Sequence, residues 1–195
     1  MTTNILLSGV GGQGIITASR VLAEAAMLSG FQVKKSEIHG MSQRGGSVES
    51  HVRFSPDGLV FSPTIPFGEV HVLMGFELLE ALRAIPNTKP DALVLVEDRV
   101  IVPSSVTCGP FEYPADMLDQ LRASGRNVRV VDAFKIACSL GEPRAANIVL
   151  LGAASSSLVI DAQAWEGAIR RTVKAKALDV NLQAFEAGVA AGRAG

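Results

Sequence analysis

Apolar residues recur along this chain at two spacings, one of strands and one of helices, and the two alternate. Asn4–Ser8 is an apolar run closed by glycine, which predicts a buried strand. After a glycine loop, Ile15, Ala18, Val21, Leu22, Ala25 and Leu28 recur at helical spacing, and Gly30 stands where a helix stops. Phe31–Lys35 predicts a second strand, so the chain opens with a strand–helix–strand unit. Ser47–Phe54 alternates, with Val48, Ser50 and Val52 on one face and Glu49, His51 and Arg53 on the other, the latter read as solvated. The turn signal Pro56-Asp57-Gly58 and the short run Leu59–Ser62 then predict a hairpin appended to the sheet.

Further on, Glu69–Met74 and Ala92–Val96 predict core strands with a helix over Phe76–Ala84 between them. Val100–Thr107 reads as extended, and Pro103 argues for an edge. Helices are expected over Pro114–Ser124, from a cap at Asp132 to about Leu140, over Ala145–Leu158, from a cap at Asp161 with Trp165, Ile169 and Val173 inward, and over Val180–Ala191; Asn127–Val131 is a strand. The alternation predicts one α/β domain over 1–195, a layered Rossmann-like sheet with flanking helices and the appended β-hairpin. No repeat, low-complexity tract or linker interrupts it.

Composition narrows the class. Apolar residues make up 48% and charged residues 19%, with a mean hydropathy of +0.30, which fits either a large buried subunit interface or the alanine-rich second half. A net charge of −1 gives no field for nucleic acid. No stretch approaches the length of a membrane helix and the N-terminus lacks a basic leader, so no membrane contact and a cytoplasmic location are expected. The two cysteines, Cys108 and Cys138, stand alone and read as buried or incidental thiols. With no Cys-x-x-Cys, neither an iron–sulfur cluster nor a structural zinc is expected on this chain, and no metal site is assigned to it.

Two loops concentrate the candidate chemistry. The first is Gly9-Val10-Gly11-Gly12-Gln13-Gly14, between strand and helix. Gly9, Gly11 and Gly14 fit the dinucleotide fingerprint, in which glycines let the backbone approach a pyrophosphate and a later acidic residue takes a ribose hydroxyl; Glu37 is placed for that role. Against it, Gln13 is bulky and polar where such loops carry small residues, and the glycines can equally serve tight strand-to-helix packing. Ile15 occupies the lysine position of a nucleoside-triphosphate loop and excludes that reading. The second loop, Ser36-Glu37-Ile38-His39-Gly40-Met41-Ser42-Gln43-Arg44-Gly45-Gly46-Ser47-Val48, packs hydrogen-bonding side chains between glycines. In an α/β fold both loops can open on one sheet edge, where ligands and partners bind.

Together the two loops resemble the gamma-type domain of the 2-oxoacid:ferredoxin oxidoreductase family, closest to the beta-subunit branch of the indolepyruvate enzymes. Pyruvate-type members carry a different second loop. The likeness continues at Ser62-Pro63, through Phe76-Glu77-Leu78-Leu79-Glu80-Ala81-Leu82-Arg83, Tyr113-Pro114 and Asn147-Ile148-Val149-Leu150-Leu151-Gly152, and into the region 181–188. The resemblance implies a complex that oxidatively decarboxylates aryl-2-oxoacids to acyl-CoA. Thiamine diphosphate with magnesium and [4Fe–4S] clusters would sit on a larger alpha subunit, and electrons would leave to ferredoxin. This chain would be the subunit without cofactors, inactive alone. Its lack of a Gly-Asp-Gly thiamine signature agrees, the nearest sequence being Pro56-Asp57-Gly58 in a turn.

Within the second loop, Glu37, His39, Met41, Gln43, Arg44, Gly45 and Gly46 are expected at the interface or cleft with that subunit. Arg44 is either a bidentate clamp for a carboxylate or phosphate or a structural partner of Glu37. His39 is either a proton carrier or a hydrogen-bonded anchor, Met41 suits an adaptable contact, and His71, in an apolar strand, reads as a satisfied core histidine. No catalytic residue is assigned to this chain. Two other classes stay open on the residues: a free NAD- or FAD-binding oxidoreductase using Gly9–Gly14, and a non-enzymatic interaction domain.

Overall fold

A computed structural model describes residues 1–40, 45–102 and 113–194. Its centre is a six-stranded mixed sheet: β1 (Thr3–Val10), β2 (Gln32–His39), β3 (Ser47–Ser55), β4 (Val70–Gly75), β5 (Thr88–Glu97) and β6 (Asn127–Val131). The spatial order is β2-β3-β1-β4-β5-β6. β1, β4, β5 and β6 run parallel to their neighbours in that order, whereas β3 is antiparallel to both β1 and β2.

The two-residue period of a strand sends alternate side chains to opposite layers. In β1, Ile5 and Leu7 join one core and Leu6 the other, all three without solvent exposure. The larger layer is built by α1 (Ile15–Leu28) and, from the second half of the chain, by helices that follow β6. The smaller layer is built by α2 (Leu78–Ala84) and α3 (Met117–Ala123). A fully buried Leu or Ile contributes about 1.5–3 kcal/mol, so the central strand is the most costly place to introduce a polar residue.

After β6 come α4 (Ala133–Ser139), α5 (Ala146–Ser155), α6 (Ala162–Thr172) and α7 (Leu178–Ala194). Asp132 and Asp161 do occupy the N-cap positions of α4 and α6, though neither side chain makes a capping hydrogen bond. Trp165 and Ile169 are buried as expected, with Trp165 tilted against Phe185 at 5.4 Å. α5 is the nearly all-buried helix, and α7 crosses it with backbone against backbone: a Cβ on Gly188 would overlap the Val149 carbonyl, and one on Gly152 the Phe185 carbonyl.

The layered α/β sheet with flanking helices is as expected, but the hairpin is different. β3 does not pair with Leu59–Ser62; it pairs with β2, and the hairpin closes through the second loop. Residues 59–62 form no strand, because both edges of β3 are already taken by β1 and β2. After Ser55 the chain instead crosses the sheet face as a strap over residues 56–69. β2 is also longer than Phe31–Lys35 and carries Glu37 and His39 as strand residues. The expected extension over Val100–Thr107 has no strand at 100–102, and its remainder lies outside the described residues.

Candidate functional site

β1 ends at Val10, and the first glycine loop turns the chain into α1. Gln13 folds back across this loop. Its Oε1 accepts the Val10 N–H at 2.7 Å, and its Nε2 donates to the Phe76 carbonyl just beyond β4. β1 and β4 are adjacent and parallel, with α1 on one face and α2 on the other, so their carboxyl ends form the crevice where open α/β sheets hold ligands. Here the Gln13 amide spans that crevice. Gly9 lies beneath it, and a Cβ there would come within 2.8 Å of Gln13 Oε1 and of Phe76. Gly14 caps α1 at φ 78°, and its carbonyl accepts Asn147 Nδ2 at 3.0 Å. Gly12 has φ 106° with open space beside it, so a side chain there meets backbone strain and no clash.

The two loops touch. Gly11 N–H donates to the Gly46 carbonyl at 2.9 Å, and Gly40 N–H to the Ser47 carbonyl at 3.0 Å. Between the loops lies a cleft of about 490 Å³, lined by Gly11, Gly12, Gly14, Ile15, Ile16 and His39, with Val48 behind. Its wall is mostly backbone and aliphatic carbon, and among the described residues His39 is the titratable group that lines it. Glu37 lies two residues before His39 on the same strand face, 3.7 Å from its Nε2. Glu37 is also hydrogen-bonded and ion-paired to Lys35. That Lys35 hydrogen bond holds the Glu37 carboxyl below its usual range, against the opposing effect of burial, with further help from the charges of Lys35, Arg20 and His39. Gly45 is exposed and Gly46 half-buried; Met41, Gln43 and Arg44 lie outside the described residues.

The family model for pyruvate ferredoxin/flavodoxin oxidoreductase matches residues 4–191. The chain belongs to that family. It is 41% identical, over 96% of its length and 94% of the relative's, to the indolepyruvate oxidoreductase subunit IorB of Archaeoglobus fulgidus. It is 26% identical, over 92% of its length and 91% of the relative's, to the pyruvate/ketoisovalerate oxidoreductases common subunit gamma of Pyrococcus abyssi. Its fold matches the crystal structure of the keto/oxoacid ferredoxin oxidoreductase gamma subunit from Geobacter sulfurreducens with a TM-score of 0.74 at 25% identity, covering 99% of both chains.

In this member of the pyruvate ferredoxin/flavodoxin oxidoreductase family, three buried carboxyl groups that the sequence did not single out organise the edge. Glu80 takes Ser47 Oγ at 2.6 Å and Arg83 at 2.9 Å, while its backbone carbonyl accepts Ser8 Oγ at 3.2 Å. It thereby anchors the foot of the second loop to the end of β1. Glu77 caps α2 by accepting Glu80 N–H at 2.9 Å, and it also receives the Tyr113 hydroxyl. Burial, then the hydrogen bond to Glu77, pushes the Tyr113 phenol upward. Glu97, at the end of β5, accepts Phe134 N–H at 2.7 Å, and burial raises its carboxyl. No local pattern announces Glu77 and Glu80, because the capping box takes serine or threonine where this chain has Glu77, and Glu97 only follows an apolar strand.

Other expectations change. His51 and Arg53 are not on a solvated face; the strap covers them, and His51 is 8% exposed. Cys138 is exposed, not buried, and Cys108 lies outside the described residues. His71 is half satisfied: Nδ1 accepts Asn4 N–H at 3.1 Å while Nε2 is buried without a partner among the described residues.

Proposed function

We propose that this chain is the small, cofactor-free subunit of an indolepyruvate-type 2-oxoacid:ferredoxin oxidoreductase. The reaction would cleave the C1–C2 bond of an aryl-2-oxoacid, release carbon dioxide, form the acyl thioester of coenzyme A and pass the electron pair to ferredoxin. The observation that carries the reading is the end-to-end 41% identity to a subunit named for indolepyruvate, set against 26% for one named for pyruvate and ketoisovalerate.

Thiamine diphosphate, magnesium and [4Fe–4S] clusters would be held by a larger subunit. The donor chemistry of this chain does not fit a cluster: it has two cysteines in all, and a [4Fe–4S] centre takes four thiolates. Among the described residues no three His, Cys, Asp or Glu side chains gather as metal ligands. This chain's part is closure and orientation. Gly9, Gly11, Gly12, Gln13 and Gly14 serve as loop packing that keeps the sheet edge rigid, and the Gln13 amide bridging Val10 and Phe76 supports that role over a pyrophosphate site. Glu37, His39, Met41, Gln43, Arg44, Gly45 and Gly46 would face the larger subunit and help exclude water from its cleft.

Affinity capture of the tagged chain from its native extract tests the reading. A larger, brown, cluster-bearing partner in near-equal amount is expected. A chain that elutes alone and retains NAD or FAD contradicts it.

A further inference from the structure

The sheet ends at β2 with one open side. β3 takes one edge of β2, and no strand of the described residues takes the other. The hydrogen bond from Gly40 N–H to the Ser47 carbonyl, at 3.0 Å, fixes which backbone groups point where. Residues 40 and 47 continue the β2–β3 register as a hydrogen-bonded pair, so the even-numbered residues of β2 turn their backbone groups toward β3. The N–H and C=O groups of Val33, Lys35, Glu37 and His39 therefore point outward. Among the described residues no backbone group pairs with them. An open edge of this kind is a template for a further strand, and lysine is a common guard against it. Here the guard is cancelled along the strand. Glu37 follows Lys35 by two residues, stands on the same face and is ion-paired to it, so the edge carries both signs. Such an edge does not repel a strand that carries the same alternation in reverse.

We propose that two copies of this chain pair through β2, antiparallel about a two-fold axis at Ser36, and join their sheets into one. Charge complementarity selects both the occupant and the register. A two-fold axis normal to the sheet sets residues of the same face opposite each other. An axis at Lys34 or Lys35 sets that lysine against itself, and an axis at Glu37 sets carboxylate against carboxylate. An axis at Ser36 places Lys35 of each copy opposite Glu37 of the other, and Val33 opposite His39. Each of these pairs exchanges the hydrogen bonds that the outward groups leave open. On the other face Ser36 meets itself at the close, non-hydrogen-bonded position, where a small side chain fits. Lys34 then lies opposite Ile38, which is 48% exposed and which the lysine's aliphatic stem can cover. The contact is wider than the strand alone. A groove of about 460 Å³ runs beside the edge, lined by Val33 and Lys35 of β2 and by Arg20 and Met27 of α1, with Met27 51% exposed. An unrelated strand can take the backbone groups, but the match of charge and size about Ser36 is a match of β2 to itself, and it closes at two copies. The cleft lies inward of His39, toward β3 and α1, and the second loop follows Gly40, so neither is part of the pairing. The proposal stands independently of the functional reading above.

Sedimentation equilibrium of the purified full chain tests the pairing, and wild type should sediment as a dimer. Lys35→Glu and Glu37→Lys each set like charges opposite one another and should weaken the dimer about tenfold or more. The two substitutions combined exchange the charges and restore both cross-strand pairs, so the dissociation constant should return to within about threefold of wild type. Ser36→Cys reads the register. Facing α-carbons at a non-hydrogen-bonded pair lie about 4.5 Å apart, within disulfide range, so mild oxidation should link the dimer on a non-reducing gel. Wild type, with Cys108 and Cys138 alone, is the control and should stay unlinked. A wild-type chain that remains monomeric at every concentration overturns the proposal. So does a dimer indifferent to the single charge reversals, or one that Ser36→Cys does not link. A link that forms in the chain alone and is lost when the larger subunit is added before oxidation would assign the edge to that subunit, and would overturn the proposal as well.

Discussion

At the scale of single residues, Gln13 marks where this chain parts from a nucleotide-binding loop. Its amide satisfies one donor and one acceptor at the mouth of the crevice, Val10 N–H and the Phe76 carbonyl. Gln13→Ala strands both, and an unpaired buried polar group costs about 1–3 kcal/mol. The melting temperature should fall clearly in thermal denaturation, while binding of NAD or FAD, measured by titration, should be nil in both forms. Glu97 gives a pH-dependent case. Burial raises its carboxyl, so the folded state favours the protonated form. That contribution is fully present below the unfolded carboxylate range and is lost as pH rises through the folded value. Glu97→Gln should therefore melt higher than wild type at pH 7, and the two should converge below about pH 4.5. A gap that widens on acidification would show that the sign is wrong. Neither residue's role is visible in the sequence alone. Gln13 read only as an anomaly in a glycine pattern, and Glu97 ends a strand with nothing to announce its burial.

At the scale of elements, the strand and helix periods were legible and the strand pairing was not. β6 was placed at Asn127–Val131 as found, and α5 and α6 lie within or against their expected spans. β3 was visible as an alternating run, yet its partner was misassigned, because alternation reports two faces and says nothing of which edges are occupied. With the strap covering its polar side, β3 is buried on both faces, and that cover depends on Arg53 and His51 contacts that no local pattern encodes. The α5–α7 crossing was likewise hidden. It depends on Gly152 meeting Phe185 and Gly188 meeting Val149, pairs 33 and 39 residues apart along the chain. Gly188→Ala forces the two backbones apart, and overpacking of this kind costs about 1–3 kcal/mol. Urea denaturation should show a lower midpoint. An unchanged midpoint would mean that the helices are not in backbone contact.

At the scale of the whole molecule, the hydropathy of +0.30 has two readings, and the structure lends weight to each in a different place. The alanine-rich second half is buried in the larger core, and the strap still exposes aromatic surface. Among the described residues no helix is long and apolar enough to cross a membrane. One edge joins both glycine-rich loops through the Gly11–Gly46 hydrogen bond, and Glu80 holds its base through Ser47. If this edge completes a cleft on the larger subunit, His39→Ala and Arg44→Ala should each lower the turnover of the assembled complex by about tenfold, the loss of a charge-assisted contact. The most direct test of the central claim is a titration of the larger subunit with this chain, following oxidation of indolepyruvate with coenzyme A, thiamine diphosphate, magnesium and an artificial electron acceptor. The account predicts no turnover by this chain alone and a rate that rises to saturation at a fixed ratio of the two subunits. Turnover by this chain alone, or a larger subunit whose rate is indifferent to its addition, would contradict it.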